Sequence, residues 1–385
     1  MSKIQAEAKE RFHFLDGLRG IASLLIVMHH SISSPIARYF HTHGMAYIGE
    51  MVTFFTQSGV VLFFTLSGIV LLRPYLRGER TFKVGQYFIR RARRIYPPFL
   101  VALIFGYLVL KVIALGPQTY YAQMWAGMDT SLEQLLRQAL ILSLSGIFFN
   151  LAWWSLQIEV VFYILVPLFV FMFSFRKQLN YLLFFLSLAG VVAGSYALQV
   201  YLDAHYPAIY SCTRPALNVY RFIDAPVSFV LGVYLAKYDL ERFAGWALLA
   251  LGVPLVLFTN SYGPLVNSGY ALIYASLLVF LFKSHKLRTL LDRPIMIWLG
   301  ERSYSLFLLH FSVFYLVDYI CSIFIPDRNI YYGICTRGIG IPLAFLCAMT
   351  LFYFVERRQA RGLVTDKIFW PWQLHKLNKN TLKDK

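Results

Sequence analysis

Two residues near the start of the chain combine residue types and a spacing that could carry chemistry. Arg19 and His30 lie in the segment Phe14-Leu-Asp-Gly-Leu-Arg-Gly-Ile-Ala-Ser-Leu-Leu-Ile-Val-Met-His-His30. Their separation is close to three helical turns, so both side chains share one helix face, about 16 Å apart along the axis. The rest of that helix is apolar. A guanidinium at its start and an imidazole deep within it cost desolvation energy, and such groups in a membrane helix mark a site by default. The plain alternative is a histidine that bonds a neighbouring helix and an arginine that snorkels to lipid phosphate. Asp16 lies one turn before Arg19 and is placed to orient it as an i,i+3 pair.

Two further clusters strengthen the first. In Phe88-Ile-Arg-Arg-Ala-Arg-Arg-Ile-Tyr-Pro97 the cations are Arg90, Arg91, Arg93 and Arg94. A membrane anchor would use Lys as readily, yet all four are Arg, whose planar fork makes bidentate contacts with phosphate. Arg73, Arg77 and Arg80 lie nearby, so this patch suits a polyanionic ligand. In Trp153-Trp-Ser-Leu-Gln-Ile-Glu-Val-Val-Phe-Tyr163 the carboxylate of Glu159 falls about 18 Å from the inner membrane boundary, the same depth as His30. An imidazole is a suitable partner for a buried carboxylate, which would fix its tautomer and raise its basicity. The alternative is a structural Glu159 held by Ser, Tyr or Trp, with Tyr163 one turn further on.

Weaker signals complete the set. Ser67 and Gly68 in Phe63-Phe-Thr-Leu-Ser-Gly-Ile69 read chiefly as small residues for close helix packing. His310 reads as a structural hydrogen-bonder, with a place along a ligand path as the alternative. His41 and His43 lack ligand context, and the four cysteines show no metal spacing, so no metal is expected. Cys321 and Cys335 flank a short loop and leave a disulfide open, whereas Cys212 and Cys347 read as incidental.

The elements that must position these groups are membrane helices. Hydrophobic residues make up 58% of the 385, charged residues only 14%, and the mean hydropathy is +0.58. Soluble domains carry about 25% charged residues. Ten apolar runs reach spanning length: 18–36, 51–73, 95–115, 151–174, 179–201, 220–237, 243–259, 265–283, 303–325 and 333–355. The net charge of +17 does not read as nucleic-acid binding, because 29 of the 36 Lys and Arg fall in alternate gaps between these runs. That is the positive-inside pattern, and with an even number of spans it places both termini in the cytoplasm. The first run lacks a small-x-small cleavage site and reads as a retained helix. Segment 116–150 is long and partly apolar, with Glu133 and Arg137 at helical spacing. A full crossing would put Arg176 and Lys177 outside, so it reads as re-entrant or interfacial. The expected fold is therefore all-α and polytopic. Residues 1–355 form one membrane domain, and 356–385 form a basic cytoplasmic tail.

Five segments, taken in order, resemble the membrane acyltransferase 3 family: Phe14-Leu-Asp-Gly-Leu-Arg-Gly, Phe63-Phe-Thr-Leu-Ser-Gly, Arg91-Ala-Arg-Arg-Ile-Tyr-Pro, Trp154-Ser-Leu-Gln-Ile-Glu-Val-Val-Phe-Tyr and Tyr304-Ser-Leu-Phe-Leu-Leu-His. The resemblance covers about residues 12–357. It implies a ten-helix enzyme of a bacterial inner membrane that moves an acyl group, usually acetyl, from cytoplasmic acyl-CoA to an acceptor, commonly a sugar of a glycan, glycolipid or small glycoside. The family's Arg-x10-His pattern falls on Arg19 and His30, which favours His30 over His29. Its Arg-x-x-Arg pattern falls on Arg91 and Arg94, although Arg90 and Arg93 also fit. Its fourth-span carboxylate falls on Glu159. One departure is Arg358, which follows Glu356-Arg357 where the family often has Pro.

The expected mechanism follows from these assignments. Arg91 and Arg94, with Arg19, hold the phosphates of acyl-CoA. The extended pantetheine arm covers the roughly 16 Å to His30. His30 acts as general base on the acceptor hydroxyl, and Glu159 orients it. Asp16, Ser67, Tyr163 and His310 support the site. A covalent acyl-histidine step is an open variant. Ten spans with buried ionisable groups also suit a secondary transporter or a flippase of lipid-linked sugars, and covalent acyl transfer separates the two classes. The outer-loop residues Trp125, Tyr206, Arg214, Tyr220, Arg221 and Asp224 are candidates for the acceptor side, or for an interfacial belt.

Overall fold

The structure, a computed structural model, describes residues 12–125, 127–141, 149–173, 217–259, 264–326 and 330–357. Every regular element among them is helical. Among the described residues, seven helical stretches are long and apolar enough to cross a membrane: His13–Thr42, Ala46–Leu76, Val84–Leu115, Leu151–Met172, Leu265–Lys283, Pro294–Phe324 and Tyr331–Glu356. They correspond to the first four and last three expected spans. Ala225–Lys237 and Arg242–Phe258 are apolar but shorter, at the positions of the sixth and seventh. The fifth expected span, the gap at 176–178, Tyr206, Cys212, Arg214 and most of the basic tail lie outside the described residues.

Most of the helices start earlier than the apolar runs. Helix α1 is His13–Met28, followed by a π turn at His29–Ser33 and by α2 at Ser34–Thr42. Helix α3 is Ala46–Gln57 and α4 is Gly59–Leu76. Helix α5, Val84–Leu115, has 32 residues, or about 48 Å at 1.5 Å per residue, well beyond the roughly 30 Å of a bilayer core. Its first turns carry all four arginines of the 90–94 run, so these sit on a helix and not in a loop.

Segment 116–150 contains two short helices, α6 (Tyr120–Met124) and α7 (Leu132–Ala139). Neither can span. Ser131 caps α7 by accepting from the Gln134 amide, and Arg137 bonds Glu133 at 2.5 and 3.0 Å, the i,i+4 pair expected. Residues 142–148, in the C-terminal part of the expected re-entrant segment, lie outside the described residues. The chain beyond them is anchored to a later helix: Asn150 and Trp153 both donate to the Leu308 carbonyl, at 3.0 and 3.1 Å.

Helix α8 is Trp154–Met172, α9 is Leu217–Lys237, α10 is Arg242–Phe258, α11 is Pro264–Lys283 and α12 is His285–Leu291. Helix α13, Pro294–Phe324, has 31 residues, and α14 is Ile330–Leu351, ending in a second π turn at Phe352–Glu356. Cys321 and Cys335 are free thiols.

Close packing sets the crossings that matter for function. Lipid tails are as apolar as Leu, so helix association rests on van der Waals contact and benefits from small residues. Helix α1 lies between α4 and α13. A Cβ at Gly20 would stand 3.1 Å from the Gly300 amide, and one at Gly300 would overlap the Asp16 carbonyl. On the other side, a Cβ at Gly59 would meet the Ala22 carbonyl at 2.6 Å. Helices α4 and α9 cross in the same way at Gly68, where a Cβ would stand 2.8 Å from the Val233 amide. The packing reading of Gly68 thus holds, and α1 is held at backbone distance from α13.

Candidate functional site

The two ends of the Arg19–His30 face lead to different surroundings. At the arginine end, Arg19 pairs with Asp16 at 3.7 Å, the expected i,i+3 contact. Arg19 lines a cavity of about 60 Å³ together with Arg94, Glu159, Ser67, Ser155, Ser303 and Tyr304. Helices α1, α4, α5, α8 and α13 each contribute. Arg19 feels the charges of Arg94, Asp16 and Glu159. The cavity brings together four of the expected site residues: Arg19, Ser67, Arg94 and Glu159.

The arginine run divides by helix face. Arg91 and Arg94 are half-buried on the inward side, whereas Arg93 is exposed. The Arg91 guanidinium lies over the rings of Tyr87 and Tyr163, at 5.6 and 5.7 Å. Arg90 donates to the Tyr75 hydroxyl at 3.2 Å. Of the four arginines, Arg94 lines the cavity, and Arg91 lies one turn before it on the same helix face.

Glu159 accepts a short hydrogen bond from the Tyr163 hydroxyl one turn along α8. Tyr163 in turn meets Arg91, so Glu159, Tyr163, Arg91, Arg94 and Arg19 form one polar group at the arginine end. Depth along the sequence pairs Glu159 with His30, but the structure turns Glu159 toward the arginines. Rise along a helix gives depth and not azimuth, and the orientation of α8 decides the partner.

His30 lies in the π turn, where the widened backbone presents two adjacent imidazoles to different neighbours. His29 faces Thr56 of α3, Nδ1 to Oγ1 3.2 Å. His30 faces α13, its Nδ1 3.0 Å from Nε2 of His310. The rings are tilted by 31°, with centroids 5.1 Å apart, so contact is through ring nitrogens. Phe311 packs edge-on against the His30 ring at 4.6 Å. π turns are rare and recur at functional sites. The Ser31 hydroxyl donates to the Val27 carbonyl at 2.6 Å within this wide turn. His310 is fully buried, and His30 is half-buried.

The cavity and the histidine pair nearly meet. Ile26 and Phe307 also line the cavity. They precede His30 and His310 by four and three residues, about one helical turn. The cavity's polar lining is Arg19, Arg94, Glu159, Ser67, Ser155, Ser303 and Tyr304, and its apolar lining includes these two residues, about 6 Å along the axis from the imidazoles.

Other residues at this site were not singled out from the sequence. Glu356, in the second π turn, accepts from the Ser305 hydroxyl at 2.7 Å and feels Arg94, Arg19 and Arg302. The Tyr304 hydroxyl donates to the Ile95 carbonyl at 3.1 Å, tying α13 to the arginine helix. Only the tyrosine and serine of the Tyr304-Ser-Leu motif hinted at this. Among the described residues, no group of three or more His, Cys, Asp or Glu lies close enough to hold a metal. Trp125 packs on Tyr315 at 4.3 Å.

Known proteins resemble this chain in sequence. Relatives from Staphylococcus aureus strains COL, MSSA476 and MRSA252, each named "Putative O-acetyltransferase", are 24% identical over 377 residues. The match covers 89% of this chain and 56% of each relative, so the chain spans little more than half their length. No solved structure matches it. Residues 12–355 match the acyltransferase domain of the acyltransferase 3 family, and the chain belongs to that family.

Proposed function

We propose that the protein transfers an acyl group, acetyl in the first instance, from cytoplasmic acyl-CoA to a hydroxyl of a carbohydrate or glycoconjugate acceptor. Family membership supports acyl transfer, and the names of the relatives support an O-acetyl product. The observation that carries the reading is the cavity lined by Arg19, Arg94 and Glu159, whose lining also includes Ile26 and Phe307, one turn before the paired His30 and His310. Apolar bundles have no packing use for such a line of polar groups, and their burial costs energy unless they are used or paired.

Arg91 and Arg94 hold the phosphates of acyl-CoA at the arginine end, with Arg19 beside them. Guanidinium forks match phosphate oxygens in both geometry and charge. Glu159 and Tyr163 keep these guanidiniums in place. The pantetheine arm enters the slender cavity and brings the thioester to His30. His30 removes the acceptor hydroxyl proton as the oxygen attacks the thioester carbonyl carbon. The carbon–sulfur bond breaks, and the imidazolium returns the proton to the departing CoA sulfur. A positioned base contributes about 10²–10⁴-fold, and holding both substrates together contributes more.

Mass spectrometry of envelope glycans from cells with and without the gene tests this reading. One acyl substituent should disappear with the gene. Unchanged acylation, with lipid-linked sugars stranded on one membrane face, would favour a flippase.

A further inference from the structure

We infer that His310 is a positioning residue that fixes the tautomer of His30 and makes Nε2 of His30 the basic atom. This rests on the reading of His30 as the general base.

The hydrogen bonds determine the proton positions in turn. His310 Nδ1 lies 3.0 Å from the Leu306 carbonyl and 2.9 Å from the Phe307 carbonyl. Carbonyl oxygens only accept, so Nδ1 of His310 carries a proton. His310 is fully buried among Phe307, Phe311 and Phe314. A second cation there, beside the imidazolium that His30 must become, would be strongly unfavourable. His310 is therefore neutral, and its Nε2 holds a lone pair. That lone pair faces Nδ1 of His30 at 3.0 Å. Two lone pairs cannot face each other at this distance, so Nδ1 of His30 carries a proton and donates it. The neutral His30 ring must then hold its lone pair on Nε2.

The two carbonyls thus act through His310 on His30. When Nε2 takes the acceptor proton, the Nδ1–H bond to His310 persists and steadies the new imidazolium. The proton of His310 itself stays with its carbonyls throughout. The arrangement depends on two features of the fold: the π turn that aims His30 at α13, and the Gly20–Gly300 crossing that holds α1 against it. A His310→Gln substitution would keep an acceptor near the Nε2 position, whereas His310→Leu would remove it.

The test uses the purified full-length chain with acetyl-CoA as probe, reading CoA release, for wild type, His310→Leu, His310→Gln and His30→Ala. His310→Leu should lower kcat about 10- to 100-fold, within the range of a positioned base, and leave KM for acetyl-CoA within about twofold. His310→Gln should recover most of the loss. Wild-type kcat in His310→Leu, with His30→Ala inactive, would remove His310 from the mechanism. Equal losses in folded Leu and Gln variants would overturn the tautomer role. Undiminished turnover in His30→Ala would instead sink the parent reading, so the two failures are distinct. If His310→Leu fails to fold, nitrogen NMR of ring-labelled wild type decides the point. The Nδ1–H form of His30 supports the inference, and the Nε2–H form overturns it.

Discussion

The division of the arginine run into an inward and an outward face leads to a sharp expectation for Arg94→Ala against Arg93→Ala. Arg94 lines the cavity with Arg19 and Glu159, while Arg93 is exposed. A hydrogen bond to a charged group is worth about 1.5–3 kcal/mol when partly desolvated. At about 1.36 kcal/mol per tenfold, losing one such contact with a CoA phosphate raises KM about 10- to 100-fold. An exposed arginine contributes about 0–1 kcal/mol, so Arg93→Ala should change KM by less than about fivefold. Steady-state turnover at graded acetyl-CoA concentrations measures both, and raised salt should weaken binding to wild type more than to Arg94→Ala. Arg94→Lys keeps the charge without the fork and should fall between wild type and Ala. Equal effects at Arg93 and Arg94, or a loss confined to kcat, would refute the assignment of the inward face to phosphate binding.

Three further outcomes follow from the packing and charges. Glu159→Gln removes charge while keeping shape, and its effect should appear mainly in KM for acetyl-CoA, because Glu159 sits with the arginines; a kcat loss as large as that of His30→Ala would return it to the histidine. Gly300→Ala drives a Cβ into the Asp16 carbonyl and should cost about 1–3 kcal/mol, seen as a lower Tm in detergent, whereas Gly85→Ala meets nothing within 4 Å and should leave Tm unchanged or slightly raised. Asp239, outside the spans, accepts two 2.8 Å bonds from Arg77, which hold its carboxyl below the usual carboxylate range. Its folded value lies below the unfolded one, so the pair adds stability above the unfolded value and loses it as pH falls through the folded value. Asp239 is 61% exposed, so Asp239→Asn should cost under about 1 kcal/mol at neutral pH, and a measured cost that grows on acidification would contradict the sign.

The sequence disclosed what depends on local spacing. The i,i+3 pair of Asp16 and Arg19 and the i,i+4 pair of Glu133 and Arg137 form as their spacing requires. Apolar runs found most of the helices, because spanning length is a property of one segment. What sequence could not supply was azimuth and crossing. Spacing puts Glu159 on the right helix but beside the wrong neighbour, since equal depth on two helices does not bring their side chains together. His310 reads from sequence as a structural hydrogen-bonder, and its contact with His30 joins residues 280 apart in the chain through a crossing set by two glycines. The π turns at His29–Ser33 and Phe352–Glu356 have no periodic signature, yet one aims His30 and the other brings Glu356 to the arginines.

In the proposed reaction His30 performs the proton transfer. Its most direct test is acetyl transfer from isotope-labelled acetyl-CoA by the purified chain, supplied with a membrane glycan extract, for wild type and His30→Ala. Wild type should yield a labelled covalent product, and His30→Ala should yield it about 10²–10⁴-fold more slowly with an unchanged Tm. Label transfer at the wild-type rate by a folded His30→Ala protein would contradict the claim.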